Sequence, residues 1–571
     1  MAFRVNRTVA SVFVLGGLIG AAQACGSSEA DSVFPETNAN GDDTTNNDLD
    51  GGNTVKEGGG FELPDGNVTL PDSTTQAACT NLCLQQVKCD GGGTTSLSGR
   101  VYDPAGKVPL YNVVVYVPNS VGAALDPITT GATCDRCGVV SGKPLVTTIT
   151  DASGAFKLDN VPVGQDIPLV MQVGKWRRKI TIPAVTACTN QVISTIDTDG
   201  RPVTRLPRDK FEGDIPQIAI STGGLDAFEC FLRKVGIADS EFTTEGFTGN
   251  ANGRIHLYAG SGNGPQNRPY PMQAGDYSPA TRQFADQAKS ANANGMFTRS
   301  DVLWSDLEKL KKYDITLLAC EGDTFPETKP AAALKAMYDY TALGGRLFTS
   351  HWHRFWFNTT AGEHSPAAPD GGTSFFPAFA TWGNHTPVNG QQPRPDCFSS
   401  PGTCNDPLPA TILTTLTGGD GGAPFPKALA MSEWMVNVGG GTYSDGGLPT
   451  TFPLVQPRHT VDAVDGTKAQ PWITIKNPTT NTTAYEYLSF NTPIGKPENE
   501  LCGRVVHSDL HVSSGNGDII GQGDSNPWPN LCKSANLSPQ EKALEFMLFD
   551  LSSCIQKDDA PPTPPPVDPQ N

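Results

Sequence analysis

Positive charge is what this sequence has least of. Its 571 residues carry 41 Lys and Arg against 59 Asp and Glu, a net charge of −18. Binding to nucleic-acid phosphates needs a broad cationic surface, so that class of partner is argued against. Apolar side chains are scarce too: a hydrophobic fraction of 37% is low for a single large core. No Gly-x-Gly-x-x-Gly or phosphate-loop motif occurs, which removes the usual nucleotide cradles. No His-x-x-Glu pair with a distant third His occurs either, so a carboxypeptidase-type zinc site is missing. Present in excess are Gly (61) and Pro (47), which point to many turns and some extended chain.

The acidity is concentrated near the start. Residues 26–75 hold 11 acidic side chains and a single base, Lys56. So little apolar surface cannot offset the entropy of ordering the stretch, and a solvated tether is expected. Ahead of it, Arg4 and Arg7 precede an apolar run of 15 residues, Thr8–Ala22. That is shorter than the roughly 20 residues a membrane-spanning helix needs and suits a signal peptide. The run ends in Ala22-Gln23-Ala24-Cys25 and resembles a bacterial lipoprotein signal. The resemblance implies that residues 1–24 are removed and Cys25 is acylated, anchoring the chain to a membrane. Cleavage after Ala24 without lipidation is the competing reading. Gly26 gives no reason for inner-membrane retention, so an outer-membrane or cell-surface location is expected.

Export changes how the 14 cysteines are read. In an oxidising compartment most should pair. Without Cys25, six (Cys79, Cys83, Cys89, Cys134, Cys137, Cys188) fall in a first region that can close three disulfides by itself. Seven (Cys230, Cys320, Cys397, Cys404, Cys502, Cys532, Cys554) fall in a second region, which must leave one thiol over. Closeness in sequence suggests Cys397–Cys404 and Cys502–Cys532. Cys320, at the end of an apolar strand, is expected to be the odd thiol, either reactive or simply packed. The spacings of the first region match no common zinc module.

From Ser96 the chain alternates as half-buried strands do: Leu97, Gly99 and Val101 share a face, then Val113, Val115 and Val117. Thr150-Asp151-x-x-Gly154-x-Phe156-x-Leu158 marks a hairpin. The run from Gly99-x-Val101-x-Asp103 through Gly106 and Pro109 to Val161-Pro162-x-Gly164 resembles the carboxypeptidase regulatory-like domain. That resemblance implies an accessory, transthyretin-like β-sandwich over residues 76–210. Within it, Trp176-Arg177-Arg178-Lys179 sets an aromatic beside three cations. The strip is a candidate for docking an anionic glycan or other envelope component; the bland reading is an edge strand blunted by charge.

After Phe211, strands and helices alternate. Ile215–Ser221, Arg254–Ala259, Asp314–Ala319, Arg346–Ser350 and Arg504–His507 read as strands. Ser305-x-x-Glu308 and Ser538-x-x-Glu541 read as capping boxes. The pattern predicts a doubly wound, mostly parallel α/β domain over 211–555, with a loop-rich insertion at about 355–470 above the carboxyl edge of the sheet. The whole is a multidomain α+β chain ending in a Pro-rich tail, 556–571.

In such sheets chemistry gathers at the carboxyl ends of the strands. Three strands here end in reactive side chains: Cys320, His351 with His353, and His507 with Asp509 and His511. The strand into Cys320 and the later Arg504–His511 segment resemble the class I glutamine-amidotransferase-like fold. That resemblance implies a Cys320 nucleophile with His507 and Asp509, Asp standing where the family has Glu. Alternatively, His351, His353 and His511 present a row of imidazoles able to hold zinc, or the histidines are structural within an aromatic-rich lid. Two functions follow: an envelope-anchored protein that binds a carbohydrate or other envelope component, or a hydrolase using Cys320 or a His-ligated metal. His256, His364, His385 and His459 read as isolated surface or loop residues.

Overall fold

The computed structural model describes residues 79–567 except 121, 123–124, 139, 224–225, 247–248, 261–297, 322–323, 358–374, 384–406, 418–421, 445–446, 456, 478–480 and 513–535. Strand outweighs helix, in a mixed α+β arrangement of several sheets.

Seven strands come first: β1 (Ser96–Arg100), β2 (Val114–Pro118), β3 (Pro144–Ile149), β4 (Ala155–Asp159), β5 (Gly164–Val173), β6 (Trp176–Val185) and β7 (Asn190–Val192). They make a three-stranded sheet, β4-β1-β7, and a four-stranded sheet, β3-β2-β5-β6. Both sheets feed one apolar cluster, with Leu97, Phe156 and Leu158 from the first and Val115, Val117, Leu169 and Met171 from the second. Alternation is cleanest in β4, where Phe156 and Leu158 are buried while Lys157 and Asp159 are exposed. The turn before it works through Asp151, whose Oδ1 accepts the N–H groups of Ser153 (2.8 Å) and Ala155 (3.0 Å). Gly154 has φ +73°, and a Cβ there would lie 2.6 Å from the Pro109 side chain, so both backbone and space demand glycine.

Thirteen strands follow: β8 (Ile218–Ser221), β9 (Phe242–Thr243), β10 (Ile255–Tyr258), β11 (Ile315–Leu318), β12 (Arg346–Ser350), β13 (Ala380–Trp382), β14 (Leu408–Ile412), β15 (Thr442–Ser444), β16 (Gly447–Leu454), β17 (Val461–Val464), β18 (Gln470–Lys476), β19 (Thr483–Thr492) and β20 (Gly503–Ser508). β13 and β17 pair separately; the other 11 form one sheet in the order β15-β16-β14-β18-β19-β20-β12-β11-β8-β10-β9. From β9 to β20 every pairing is parallel. From β20 to β15 every pairing is antiparallel. The sheet is therefore half and half rather than mostly parallel. In the parallel half, β8, β10, β11 and β12 are buried along their whole length, as strands of a sheet covered on both faces are.

The stretch expected to be loop-rich supplies β14, β15, β16 and the helix Pro426–Asn437. Its strand character was hidden by proline: Pro409 and Pro453 are Cα partners across β14 and β16, where a sequence reader expects breakers. Of the two capping boxes, Ser538–Glu541 forms as read, both halves present. At the other, Asp306 rather than Ser305 caps the helix, accepting from Glu308 N.

The first two sheets are tied to the large sheet by buried polar contacts. Lys175 Nζ lies 2.6 Å from Asp314 and 2.7 Å from the Gly131 carbonyl. Four disulfides join pairs of described residues: Cys79–Cys83, Cys89–Cys188, Cys134–Cys502 and Cys137–Cys554. The last two join residues 368 and 417 apart in sequence. They correct both the self-contained first region and the Cys502–Cys532 pairing. The cause is tertiary: Ile555 N–H donates to the Asp135 carbonyl at 2.9 Å, laying the chain end along the loop that carries Cys134 and Cys137. Cys230 is also a half-cystine; Cys397, Cys404 and Cys532 lie outside the described residues.

Candidate metal centre

β8, β11, β12 and β20 run parallel, with β11 between β8 and β12 and β20 beyond β12. Their carboxyl ends therefore emerge on one edge. Following them in turn are Asp226, Cys320, His351 and His511. Gly223, just past β8, is needed for this crowding, since a Cβ there would lie 2.3 Å from the Cys320 carbonyl oxygen.

Cys320, His351 and His511 converge: one donor atom from each lies within 4.8 Å of the others. All three side chains are fully buried. Cys320 is a thiol, with Sγ 3.5 Å from His351 Nδ1. The His351 and His511 rings are 5.0 Å apart, centroid to centroid. Donors on one zinc ion are separated by roughly 3.3–3.8 Å, so side-chain shifts of about an ångström would close the set around an ion. A thiolate and two imidazoles are the donors that soft or borderline metals prefer.

Two further features mark His351. It has φ +44° at the very end of β12, a left-handed backbone that costs a non-glycine residue about 1–3 kcal/mol and gathers at functional sites. Its Nε2 is buried without a hydrogen-bond partner among the described residues. Burial first, then the neighbouring His511, pushes its pKa well below the usual imidazole range. His351 is therefore neutral at physiological pH, the form that ligates metal.

The other expected site residues take different parts. His353 does not join the cluster, and both its nitrogens are engaged: Nε2–H donates to the Ala319 carbonyl at 3.0 Å and Nδ1 accepts from Trp356 Nε1 at 3.1 Å. The assumption that His351 and His353 share a face fails because His351–Trp356 is a 3₁₀ turn, where the period-two rule of a strand does not apply. His507 turns to Thr349, with Nδ1 2.9 Å from the hydroxyl, and stands between the Trp382 and Phe357 rings. Its Nε2 is 3.7 Å from Asp509. Asp509 accepts from the Thr460 N–H at 2.7 Å and from the Thr460 hydroxyl. Burial opposes its charge, yet His507, His351 and Thr460 together hold the carboxyl well below the usual range. Thus the thiol that was expected to face His507 and Asp509 instead contacts His351.

The Trp176–Lys179 strip does not form an aromatic docking face. Trp176 is fully buried, edge-on to Phe549 at 5.8 Å. Arg177 is buried in an ion pair with Asp214 at 2.8 Å, and Arg178 is half-buried against the Val203 and Arg205 carbonyls. Lys179 is exposed on β6, an edge strand of its sheet. The alternation of β6 decided this by turning the aromatic inward. His256, read as a surface residue, is buried in β10 between Tyr313 and Asn252. Cys25, His364 and His385 lie outside the described residues.

Sequence reasoning missed Asp226, Arg354 and Glu486. Asp226 Oδ2 accepts from Cys320 N–H (3.0 Å) and the Ser350 hydroxyl (2.5 Å), and Oδ1 accepts from Val512 N–H (2.9 Å). Its one local signal was a carboxylate just past a strand end and a Gly-Gly pair. Glu486 is buried in β19 with neither carboxyl oxygen hydrogen-bonded among the described residues. Burial, then the Asp509 charge, raises its pKa well above the usual range and favours the protonated acid. No helix among the described residues is long and apolar enough to cross a membrane.

No protein-family model matches the chain, and no curated protein matches it. Among solved structures it is similar to a C-terminal interface mutant of a type II cohesin–X-dockerin complex from Acetivibrio cellulolyticus, at 16% identity over 27% of this chain and 79% of that one, with a TM-score of 0.13. The N-terminal interface mutant of that complex gives 15% identity over 28% of this chain and 88% of that one, also at 0.13. A 9R-lipoxygenase from Cyanothece gives 16% identity over 20% of this chain and 18% of that one, at 0.11. Scores this low assign neither fold nor function.

Proposed function

We propose that the protein is an envelope-anchored hydrolase whose centre is a metal ion, zinc by donor chemistry, held by Cys320, His351 and His511. The observation that carries this reading is the convergence of those three donors at the carboxyl edge of the parallel strands. Cys320, His351 and His511 would hold the ion, and zinc bound there would supply a water of lowered pKa as nucleophile. The residues of the chain do the rest. Asp226 holds the ligand segments, His507 and Asp509 lie 3.7 Å apart beside them, and Trp382 and Phe357 keep water from His507.

The strand order supports an α/β reading of this region. Taking β8, β10, β11, β12 and β20 as strands 1 to 5, their spatial order is 2-1-3-4-5, that of flavodoxin-like doubly wound sheets. The switch point then falls between β8 and β11, where Asp226 and Cys320 emerge. We read this half as the glutamine-amidotransferase-like unit and the first two sheets as the carboxypeptidase regulatory-like sandwich. The disulfides among the described residues support export, and the Cys25 signal supports a lipid anchor at the outer membrane.

A cysteine nucleophile with His351 as base is favoured by the 3.5 Å Sγ–Nδ1 contact. The depressed His351 pKa makes that imidazole a poor base, so the metal reading leads. Binding of a carbohydrate or envelope component through Trp176–Lys179 loses its platform with Trp176 buried. Metal analysis of the purified chain tests the proposal. Near-stoichiometric zinc, absent from a folded Cys320→Ser, His511→Ala variant, is expected. Wild type that neither carries nor takes up zinc defeats it.

A further inference from the structure

Arg354 stands three residues after His351 on the same 3₁₀ turn and is 1% exposed. Two other buried guanidinium groups are each held by a pair of carboxylates. Arg504 pairs with Asp550 and Asp558, and Arg205 with Asp197 and Glu212. Arg354 differs. Its Nε and Nη2, the two donors along one edge of the planar fork, are buried and lack any hydrogen-bond partner among the described residues. The guanidinium carbon lies 5.3 Å from the Trp352 ring centroid, which fixes the plane without using the fork.

The nearby carboxylates do not fill that edge. Asp462 is paired with His459 at 2.6 Å, and Asp509 is taken up by Thr460 and His507. Both act on Arg354 only at a distance, favouring its charge against burial. The charge is also felt at the cluster, where it helps disfavour a proton on His351. A desolvated cation with an open bidentate edge, beside a set of metal donors, has the form of a recognition group awaiting an anion.

We propose that the Nε–Nη2 edge of Arg354 is an anion subsite of the centre, taking two oxygens of an oxyanion group on the substrate, either a carboxylate or a tetrahedral phosphoryl or sulfuryl group. This rests on reading Cys320, His351 and His511 as the reaction centre.

Calorimetric titration of the full chain, with and without added zinc, with inorganic phosphate, sulfate and oxalate tests it. Stoichiometric binding of one anion class is expected in wild type; phosphate or sulfate identifies a tetrahedral group, oxalate a carboxylate. Arg354→Gln is expected to weaken it by about 10–100-fold while leaving zinc content unchanged, and Arg354→Lys to weaken it by about tenfold, keeping the charge but losing the fork. If Arg354→Gln does not fold, Arg354→Lys decides. Equal binding by wild type and variant, or no anion binding by wild type, overturns the subsite. Arg354-dependent anion binding in a chain that never takes up zinc defeats the metal reading and leaves the subsite standing.

Discussion

The Asp226 carboxylate accepts the backbone N–H of Cys320 at 3.0 Å, and the same side chain takes the Ser350 hydroxyl and the Val512 N–H. Those contacts fall on Cys320 itself and on the neighbours of His351 and His511. One buried side chain therefore sets the spacing of all three donors. In Asp226→Asn an amide NH₂ replaces one acceptor oxygen and faces a donor, leaving buried N–H groups unmet at about 1–3 kcal/mol. We expect lower stability in denaturant and zinc held about 10–100-fold more weakly in chelator competition. Unchanged zinc affinity in the variant would show that Asp226 does not organise the centre.

His256 gives a pH test outside the cluster. Burial is the main cause that lowers its pKa to about 4 from the ordinary 6.5. As pH falls below the ordinary value, the unfolded chain takes up this proton before the folded chain does. The stability His256 contributes is thus present above pH 6.5 and lost on the way down to about pH 4. At 1.36 kcal/mol per unit the swing is about 3 kcal/mol. Urea titrations should show wild type losing that much relative to His256→Gln between pH 7 and 4; parallel curves would refute the assignment.

Glu486 behaves oppositely. Its raised pKa means the folded state keeps a proton that the unfolded chain releases above about pH 4.3. Stability from this group is lost as pH rises towards the folded value. Glu486→Gln, which mimics the protonated acid, should gain stability relative to wild type on going from pH 5 to 8. Its infrared difference spectrum at neutral pH should lack a carboxylic-acid band that wild type shows. A carboxylate band in wild type instead would contradict this.

The pairs Cys134–Cys502 and Cys137–Cys554 join the connection between β2 and β3 to the start of β20 and to the segment after the helix Pro539–Ser552. Cutting both by Cys134→Ser with Cys137→Ser should cost about 2–5 kcal/mol in reversible unfolding. Non-reducing peptide maps of wild type should contain both cross-links. A map joining Cys502 to Cys532 would restore the local pairing that the fold overturns.

Period-two and strand–helix patterns were enough to place Leu97, Phe156 and Leu158 on the buried face of strands and to find Ile315–Leu318 as a buried parallel strand, because those signals are local and repeat within a few residues. The carboxyl-edge rule likewise brought Cys320, His351 and His511 forward as candidates. Parity required one odd thiol, and the place of Cys320 at the end of an apolar strand singled it out. What only the tertiary structure decided were relations between distant segments. Residues 320, 351 and 511 meet because β11, β12 and β20 are neighbours in an order that no local pattern encodes. His353 was drawn away by the Ala319 carbonyl and Trp356. Cys502 found Cys134 because the segment entering β20 lies along a loop more than 360 residues earlier, where Arg136 Nε donates to the Leu501 carbonyl. Side-chain type and spacing travel with the sequence; which partner fills a buried donor is settled by packing, since an unmet polar group inside the protein is too costly to leave to chance.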